Sequence, residues 1–358
     1  GISRVYSHLI PLWAASGSDI TAQLAVPSWA GRNLSPALIP FAVPVPCLSP
    51  WLRPWRLWNR VGSLVNPAMA DAFWRRLDPD IFMSTFFTVR PVRCPSVCVV
   101  YDMILELFPD CYEASYSVEV SERKRRAVLA ADAVVCISEQ TRQDVVRLLH
   151  VPVEKCHVIH LAAGILPADV PPAARGIAAD RPFLLYVGDH VSRYKNFMFV
   201  VDSLMSAAAG RLAGIDIVVA SPFPAGDELS GKHAGALADG RIRFLRRCDD
   251  VTLGDLYRRC AAFACPSLYE GFGMPVLEAL SAGAPVVCSN AASLPEVGGK
   301  VVHYFDPLSP SGFRCALESA LAEGHATEAI RRRQLHASTF SWENTASRFV
   351  SVFHEVAA

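Results

Sequence analysis

The strongest constraint on this chain is an alternation of strand-like and helix-like segments that runs, stops at a proline- and alanine-rich stretch, and starts again. In the first half "PSVCVVYD" (95–102), "AADAVVCIS" (130–138) and "KCHVIHLAAG" (155–164) are short apolar, β-branched runs, with a basic helical stretch, "SERKRRAVLA" (121–130), between the first two. Residues 165–182, "ILPADVPPAARGIAADRP", read as a linker. The pattern resumes with "FLLYVGD" (183–189), a helix from about Asn196, "GIDIVVASP" (214–222), "RIRFL" (241–245), a helix from about Leu253, "AAFACPS" (261–267), a helix from about Pro275, and "APVVCSN" (284–290). Strands joined by helix-length connections pair in parallel, with helices over both faces. The chain therefore reads as α/β, two doubly wound parallel-sheet domains facing a cleft. Ligands of open parallel sheets sit beyond the carboxyl ends of the strands, so the cleft is the expected site.

Composition supports this reading and excludes others. At 358 residues the chain exceeds one ordinary core and suits two domains of roughly 150–180 residues. With 52% hydrophobic and 19% charged residues it is globular, and a net charge of +0 argues against a general nucleic-acid binder. No apolar run reaches the roughly 18 residues that span a bilayer. The eleven cysteines are scattered, with no C-x-x-C, as expected of reduced thiols in a cytoplasmic protein. The first residue is Gly1, and the amino end is expected to lack a piece.

The segment "PSLYEGFGMPVLEALSAGAPVV" (266–287) carries the chemistry. Strand gives way to the loop "LYEGFG", and Pro275 stands where a helix favours proline. Free amides of Gly273 through Val276, backed by the helix dipole, would make an anion site, and Gly271 and Gly273 let backbone approach a ligand. Glu270 can accept from hydroxyls beside that anion, and Glu278, one turn into the helix, from a second set. An anion flanked by hydroxyls describes a nucleotide sugar. The plainer alternative for Glu278 is a first-turn glutamate that complements the helix dipole.

Taken whole, the string resembles the retaining glycosyltransferases of family 4, with their GT-B fold and Glu-x7-Glu motif, here Glu270 to Glu278. "LLYVGDHVSRYKN" (184–196), "RFLRRCDDVTLGDLYRRCAAFACPS", "SLPEVGG" (293–299), "YFDP" (304–307) and "FSWENTASRFVSVFHEV" (340–356) are similar to its later segments, and "VYDMILELFPD" and "AADAVVCISEQTRQDV" to its first domain. The resemblance implies an amino-terminal acceptor-side domain (1–165), a linker (166–182), a nucleotide-sugar domain (183–338) and a final helix (339–358) crossing back to the first.

It also implies roles. Lys195 would bind the donor diphosphate, with Gly188 in the preceding loop and Arg193 adding a contact. Asp189 stands where many relatives carry a phosphate-binding arginine, and Arg193 is the expected substitute. Glu270 would hold donor-sugar hydroxyls, Gly271, Phe272 and Gly273 would give backbone amides, Met274 and Pro275 would complete the donor loop, and Glu278 would take the ribose. Tyr101 and Asp102 would face donor sugar and acceptor, Tyr101 replacing a histidine common in relatives. Arg246, in place of a frequent glycine, would lie beside the base and leaves guanine and uracil open. "GISRVY", with Gly1 and Ser3, resembles the glycine loop over the donor, before which relatives have a first strand. The implied catalytic set is Glu270, Lys195, Arg193 and Asp102, acting by a front-face route in which the departing diphosphate helps take the acceptor proton. No cofactor or metal is expected, with cationic side chains in the metal's place and no Asp-x-Asp.

"CLSPWLRPWRLWNRVGSL" (47–64) has two readings. One is a tryptophan- and arginine-bearing helix in a membrane interface, and the other is a core-packing insertion. The run Arg123 to Arg126 could likewise attract anionic headgroups or form a solvated helix face. The expected activity is hexosyl transfer, mannose from GDP-mannose favoured, to a glycan or lipid-linked acceptor of a surface polysaccharide. The alternatives are another GT-B enzyme, such as an epimerase, and a catalytically impaired nucleotide-sugar-binding module.

Overall fold

The computed structural model describes residues 2–15, 20–27, 35–45, 72, 77–89, 93–164, 181–206, 210–246 and 248–358. Segment 47–64 lies outside them, as do Gly1 and all of the expected linker except Arg181 and Pro182.

In the first half, α1 (Ile2–Ala15) precedes β1 (Leu24–Pro27) and β2 (Ala42–Val45), which pair in parallel as a small separate sheet. Strands β3 (Phe82–Ser84), β4 (Ser96–Val100), β5 (Ala133–Cys136) and β6 (Cys156–Val158) form a four-stranded parallel sheet in that order. Helices α2 (Ala114–Ala130) and α3 (Glu139–Leu149) connect β4 to β5 and β5 to β6. Continuous burial across Val97–Val100 and Ala133–Cys136 is the mark of strands covered on both faces.

The second half holds a six-stranded parallel sheet ordered β12-β11-β10-β7-β8-β9. Its strands are β7 (Phe183–Val187), β8 (Asp216–Ala220), β9 (Ile242–Leu245), β10 (Ala262–Cys265), β11 (Val286–Ser289) and β12 (His303–Phe305). Around it lie α4 (Phe197–Met205), α5 (Asp250–Arg259), α6 (Met274–Ser281), α7 (Leu294–Gly298), α8 (Pro310–Glu323) and α9 (Thr327–Ala337). The order reverses between β7 and β10, so the crevice of this sheet opens at their carboxyl ends. Helix α5 begins three residues before the expected Leu253, because Asp249 caps it, its Oδ1 accepting from Thr252 N at 2.8 Å.

The last helix, α10 (Trp342–Ala357), packs on α1. Trp13 donates from Nε1 to the Ala346 carbonyl at 3.2 Å and sets its ring edge-on to Phe349 and Phe353, at 5.6 and 5.4 Å. Trp342 donates to the Ala163 carbonyl at 2.9 Å and stacks on His8. Buried residues of both sheets, among them Val97, Val135, Phe263 and Val286, belong to one continuous apolar cluster, so the halves share a core beneath the cleft.

Two local expectations change. "GISRVY" does not continue as a loop: Ile2–Ala15 is helical because Val5, Tyr6, Leu9, Ile10 and Trp13 recur on one face and are buried there. Ser3 is thus on the first turn of α1, its carbonyl accepting from Ser7 Oγ. The basic run of α2 is not a uniform solvated or headgroup-facing strip either. Arg125 and Arg126 pair with Glu122, whereas Lys124 is buried and donates to the Asp102 carbonyl at 2.9 Å and to Glu106 at 2.8 Å.

Candidate active site

The loops after β7 and β10 meet at the reversal of strand order. After β7 the chain turns through Gly188 and Asp189. Asp189 accepts from the amides of Val191 and Ser192 and from the Ser192 hydroxyl, which folds the loop back on itself. The 3-10 turn Arg193–Lys195 follows, with Arg193 exposed and Tyr194 buried. Asn196, at φ 54°, ends the turn and donates to the carbonyls of Pro266 and Pro307, and Leu268 N donates to the Tyr194 carbonyl at 2.7 Å. These bonds lock the lysine loop onto the glutamate loop.

Lys195 Nζ lies 2.7 Å from Glu270 Oε1, and Ser267 Oγ donates to the same oxygen at 2.6 Å. Burial alone would pull the Lys195 ammonium down, but the Glu270 carboxylate outweighs it and the net shift is upward, so the lysine stays charged. Beyond Glu270 the loop is held from both sides. Ser293 donates to the carbonyls of Glu270 and Phe272, while Ser138, which caps α3 in the other domain, and Thr141, in its first turn, donate to the Gly271 carbonyl at 2.6 and 3.1 Å.

Gly271 is required here by close approach. A Cβ at this position would lie 1.8 Å from the Tyr101 carbonyl oxygen, so the two domains touch through bare backbone. Gly273, at φ 107°, turns the chain into α6. Of the amides expected to face the cleft, Pro275 has none and Val276 N is taken by the Gly273 carbonyl at 2.9 Å. Of the expected anion-binding amides, those of Gly273 and Met274 remain. The Phe272 ring turns inward, near His160 and Phe340 at 5.8 and 6.0 Å, and leaves only its backbone to the loop.

Glu278, one turn into α6, is almost sealed, with 7% of its side chain exposed. Tyr257 donates to Oε2 at 3.1 Å, and Arg4 Nη1 stands 3.6 Å from Oε1. Burial pushes this carboxyl up to about 7, while the Tyr257 hydroxyl, the Arg4 guanidinium and the Gly164 amide pull the other way. Arg4, Gly164, Asp250 and Tyr257 escaped the sequence reading. Arg4 stood inside a segment taken as a glycine loop, and the others gain meaning only once three separate segments converge.

The amino-terminal residues occupy different positions. The Tyr101 hydroxyl donates to Tyr6 at 3.0 Å beneath the cleft, and burial raises its phenol. Asp102 Oδ1 accepts from Ile104 N at 3.0 Å; burial raises its carboxyl, opposed by Lys124. Arg246 is exposed directly after β9. An Asp-x-Asp does occur, against the expectation of none, as Asp78-Pro79-Asp80. It precedes β3, at the amino end of the strand, on the side of the sheet away from the cleft.

Two facing parallel-sheet domains with the loops of β7 and β10 at the cleft define the GT-B class of fold. HepE from Anabaena, solved in complex with UDP and glucose, superposes with a TM-score of 0.70 at 16% identity, over 99% of this chain and 96% of that one. A family model described as Glycosyltransferase Family 4 matches residues 1–162, and one described as Glycosyl transferases group 1 matches residues 181–323. The chain belongs to this family and is a glycosyltransferase. Among its relatives, the O-antigen chain mannosyltransferase B of Escherichia coli is 27% identical over 267 residues, 72% of this chain and 70% of that protein. Alpha-maltose-1-phosphate synthase of Mycobacterium tuberculosis is 28% identical over 275 residues, 69% of this chain and 68% of that one.

Proposed function

We propose that this glycosyltransferase moves a mannosyl group from GDP-mannose, with retention and without a metal ion, to a glycan or lipid-linked acceptor in surface polysaccharide synthesis. The observation that carries the reading is the Lys195–Glu270 pair, 2.7 Å apart at the mouth of the crevice, with Glu278 buried a helix turn beyond. An ammonium offers three N–H donors. One serves Glu270, and two remain for a diphosphate placed before the Gly273 and Met274 amides. Glu270 holds the lysine and offers its second oxygen to sugar hydroxyls. Charge that develops on the departing diphosphate then meets donors already in position.

Retention is carried over from the resemblance to the retaining glycosyltransferases of family 4. Lys195 and Ser267 hold one oxygen of Glu270, and the Ile104 amide holds one of Asp102, and the reading assigns neither carboxylate as a nucleophile. The front-face route needs none. The mannosyl assignment rests on the likeness to mannosyltransferase B, and the maltose-1-phosphate synthase likeness makes glucosyl donors the natural controls. Melting the chain with GDP-, UDP-, dTDP- and ADP-sugars in EDTA tests both parts. GDP-mannose is expected to raise the melting temperature most, and Glu278→Ala to remove the rise. A rise with another donor alone reassigns the sugar nucleotide, and a rise that requires a divalent cation removes metal independence.

A further inference from the structure

The nucleotide end of the cleft contains a side chain that the Glu-x7-Glu motif does not. Arg4 leaves the first turn of α1, in the amino-terminal domain, and its Nη2 donates to Asp250 Oδ1 at 2.6 Å on the first turn of α5, in the other domain. Its Nη1 then lies 3.6 Å from Glu278 Oε1. The stem passes over Gly164, where a Cβ would sit 2.6 Å from Arg4 Cδ and 3.0 Å from Glu278 Oε1. Three segments distant in sequence thus close on one buried carboxylate.

The groups that face Glu278 divide cleanly. From α5, Tyr257 gives a hydrogen bond without charge and Asp250 gives repulsion; from the segment after β6, Gly164 gives an amide; from α1, Arg4 gives the positive charge. An ionised carboxylate removed from water is costly unless it is paired and hydrogen-bonded. Asp250, more than half exposed, repels Glu278 weakly but fixes where the guanidinium lies. Arg4 is too far from Glu278 for a full hydrogen bond, so the carboxylate keeps lone pairs for a ligand.

We propose that Arg4 is a positioning residue for ribose recognition: Asp250 draws it across the cleft, and there it holds Glu278 as the charged acceptor of the ribose hydroxyls. This rests on the reading of Glu278 as the ribose carboxylate. It makes nucleotide affinity depend on α1, although the nucleotide's own loops lie in the opposite domain. It also gives that affinity a particular pH dependence. Glu278 titrates near 7 with Arg4 in place, and removing the cation moves it further up. Each unit of that rise costs about tenfold in the ionised fraction below the shifted value and little well above it.

The test is calorimetric titration of GDP and UDP into the full chain at pH 6.5, 7.5 and 9.0, for wild type, Arg4→Met, Arg4→Lys and Glu278→Gln. Melting temperatures confirm that each variant is folded. The expected result is that Arg4→Met loses about tenfold in affinity for the preferred nucleotide at pH 6.5 and under threefold at pH 9.0. Arg4→Lys should recover most of the loss, and Glu278→Gln should be weak at every pH. If Glu278→Gln is weak but Arg4→Met matches wild type throughout, the positioning role is overturned and the ribose reading stands. An equal loss for Arg4→Met at all three pH values, without rescue by lysine, also overturns it, in favour of a structural ion pair. Wild-type affinity in Glu278→Gln at pH 9.0 overturns the ribose reading itself, as does wild type that binds neither nucleotide.

Discussion

Glu270 and Glu278 bracket the same turn, yet they occupy different electrostatic settings. Glu270 has a cation at 2.7 Å and a hydroxyl at 2.6 Å on one oxygen, with 13% of its side chain exposed. Glu278 has its cation at 3.6 Å, a tyrosine hydroxyl at 3.1 Å, and protein on nearly every side. The first has its cation in direct contact, while burial raises the carboxyl of the second to about 7 against the pull of Arg4 and Tyr257. Eight residues of sequence separation therefore yield one glutamate suited to share charge with a reacting group and one suited to recognise a ligand at rest. That contrast can be attacked at several points.

The largest effect is expected at the charged end. Lys195→Ala removes the donor proposed for the leaving group, and transfer should fall by about a thousandfold in kcat/KM, in the range seen when one preorganised donor is lost from an active site. Glu270→Ala should fall nearly as far, because the remaining ammonium loses its anchor. The double variant should be little worse than either single one, since residues that act as a unit are not additive. Steady-state release of nucleoside diphosphate measures all three, and fully multiplicative losses would mean that the pair does not act together.

Next in size is the turn between the two glutamates. Gly271→Ala places a methyl group 1.8 Å from the Tyr101 carbonyl, a contact that only separation of the loop from the other domain can relieve. The Ser138 and Thr141 bonds to the Gly271 carbonyl would break with it. Activity should drop about a hundredfold, as a misplacement near 1 Å commonly does. Hydrogen exchange at the start of α3 should rise in parallel, and unchanged exchange with full activity would refute the close approach.

At the buried end a smaller effect of opposite sign is expected in stability. Glu278 titrates near 7 when folded and near 4.5 otherwise, so the folded chain holds the extra proton between those values. Stability from this group is therefore lost as pH rises from 4.5 to 7 and stays lost above. The full loss is about 3 kcal/mol by the shift alone. Glu278→Gln escapes it and should unfold later than wild type at pH 8, by less than that amount because the amide meets the Gly164 N–H. The two should converge near pH 4.5, and urea melts at both values decide. A parallel change at both would show that burial does not govern the group.

The same contrast explains what was legible in the sequence. Strands β4, β5, β7, β8, β10 and β11 announce themselves because strands buried on both faces must be continuous apolar runs, and Glu270 and Glu278 because their spacing straddles a glycine turn and a helix start. Strand β3, only three residues long at a sheet edge, gives no such run. Helix α1 reads as a loop from its first residues, which match a loop motif, although Val5, Tyr6, Leu9 and Ile10 carry the period of a buried helical face. Arg4, Tyr257 and Glu296 could not be read at all. Each has ordinary local surroundings, and its partner lies in another segment of the chain.

Glu296 gives the smallest expected effect and tests whether the cross-domain contacts are graded. From the first turn of α7 it accepts the Glu139 amide with both oxygens, at 2.9 and 3.0 Å, and meets His160 Nε2 at 2.5 Å. Glu139 opens α3, so a carboxylate of the carboxyl-terminal domain satisfies an amide at the positive end of a helix in the other. Glu296→Ala forfeits that bond and the histidine contact, for a loss of about 1–2 kcal/mol in the closed arrangement. Lys195, Glu270 and Glu278 keep their partners, so transfer should weaken less than tenfold, well short of Gly271→Ala, and Glu296→Gln should restore part of it through its one carbonyl oxygen. Hydrogen exchange at Glu139 reads the bond directly: fast in the alanine variant, intermediate in the glutamine variant, slow in wild type. A loss of activity as deep as that of Gly271→Ala would place the domain latch at Glu296 instead of at the glycine turn, and the two glutamates would then share a single mechanical fate.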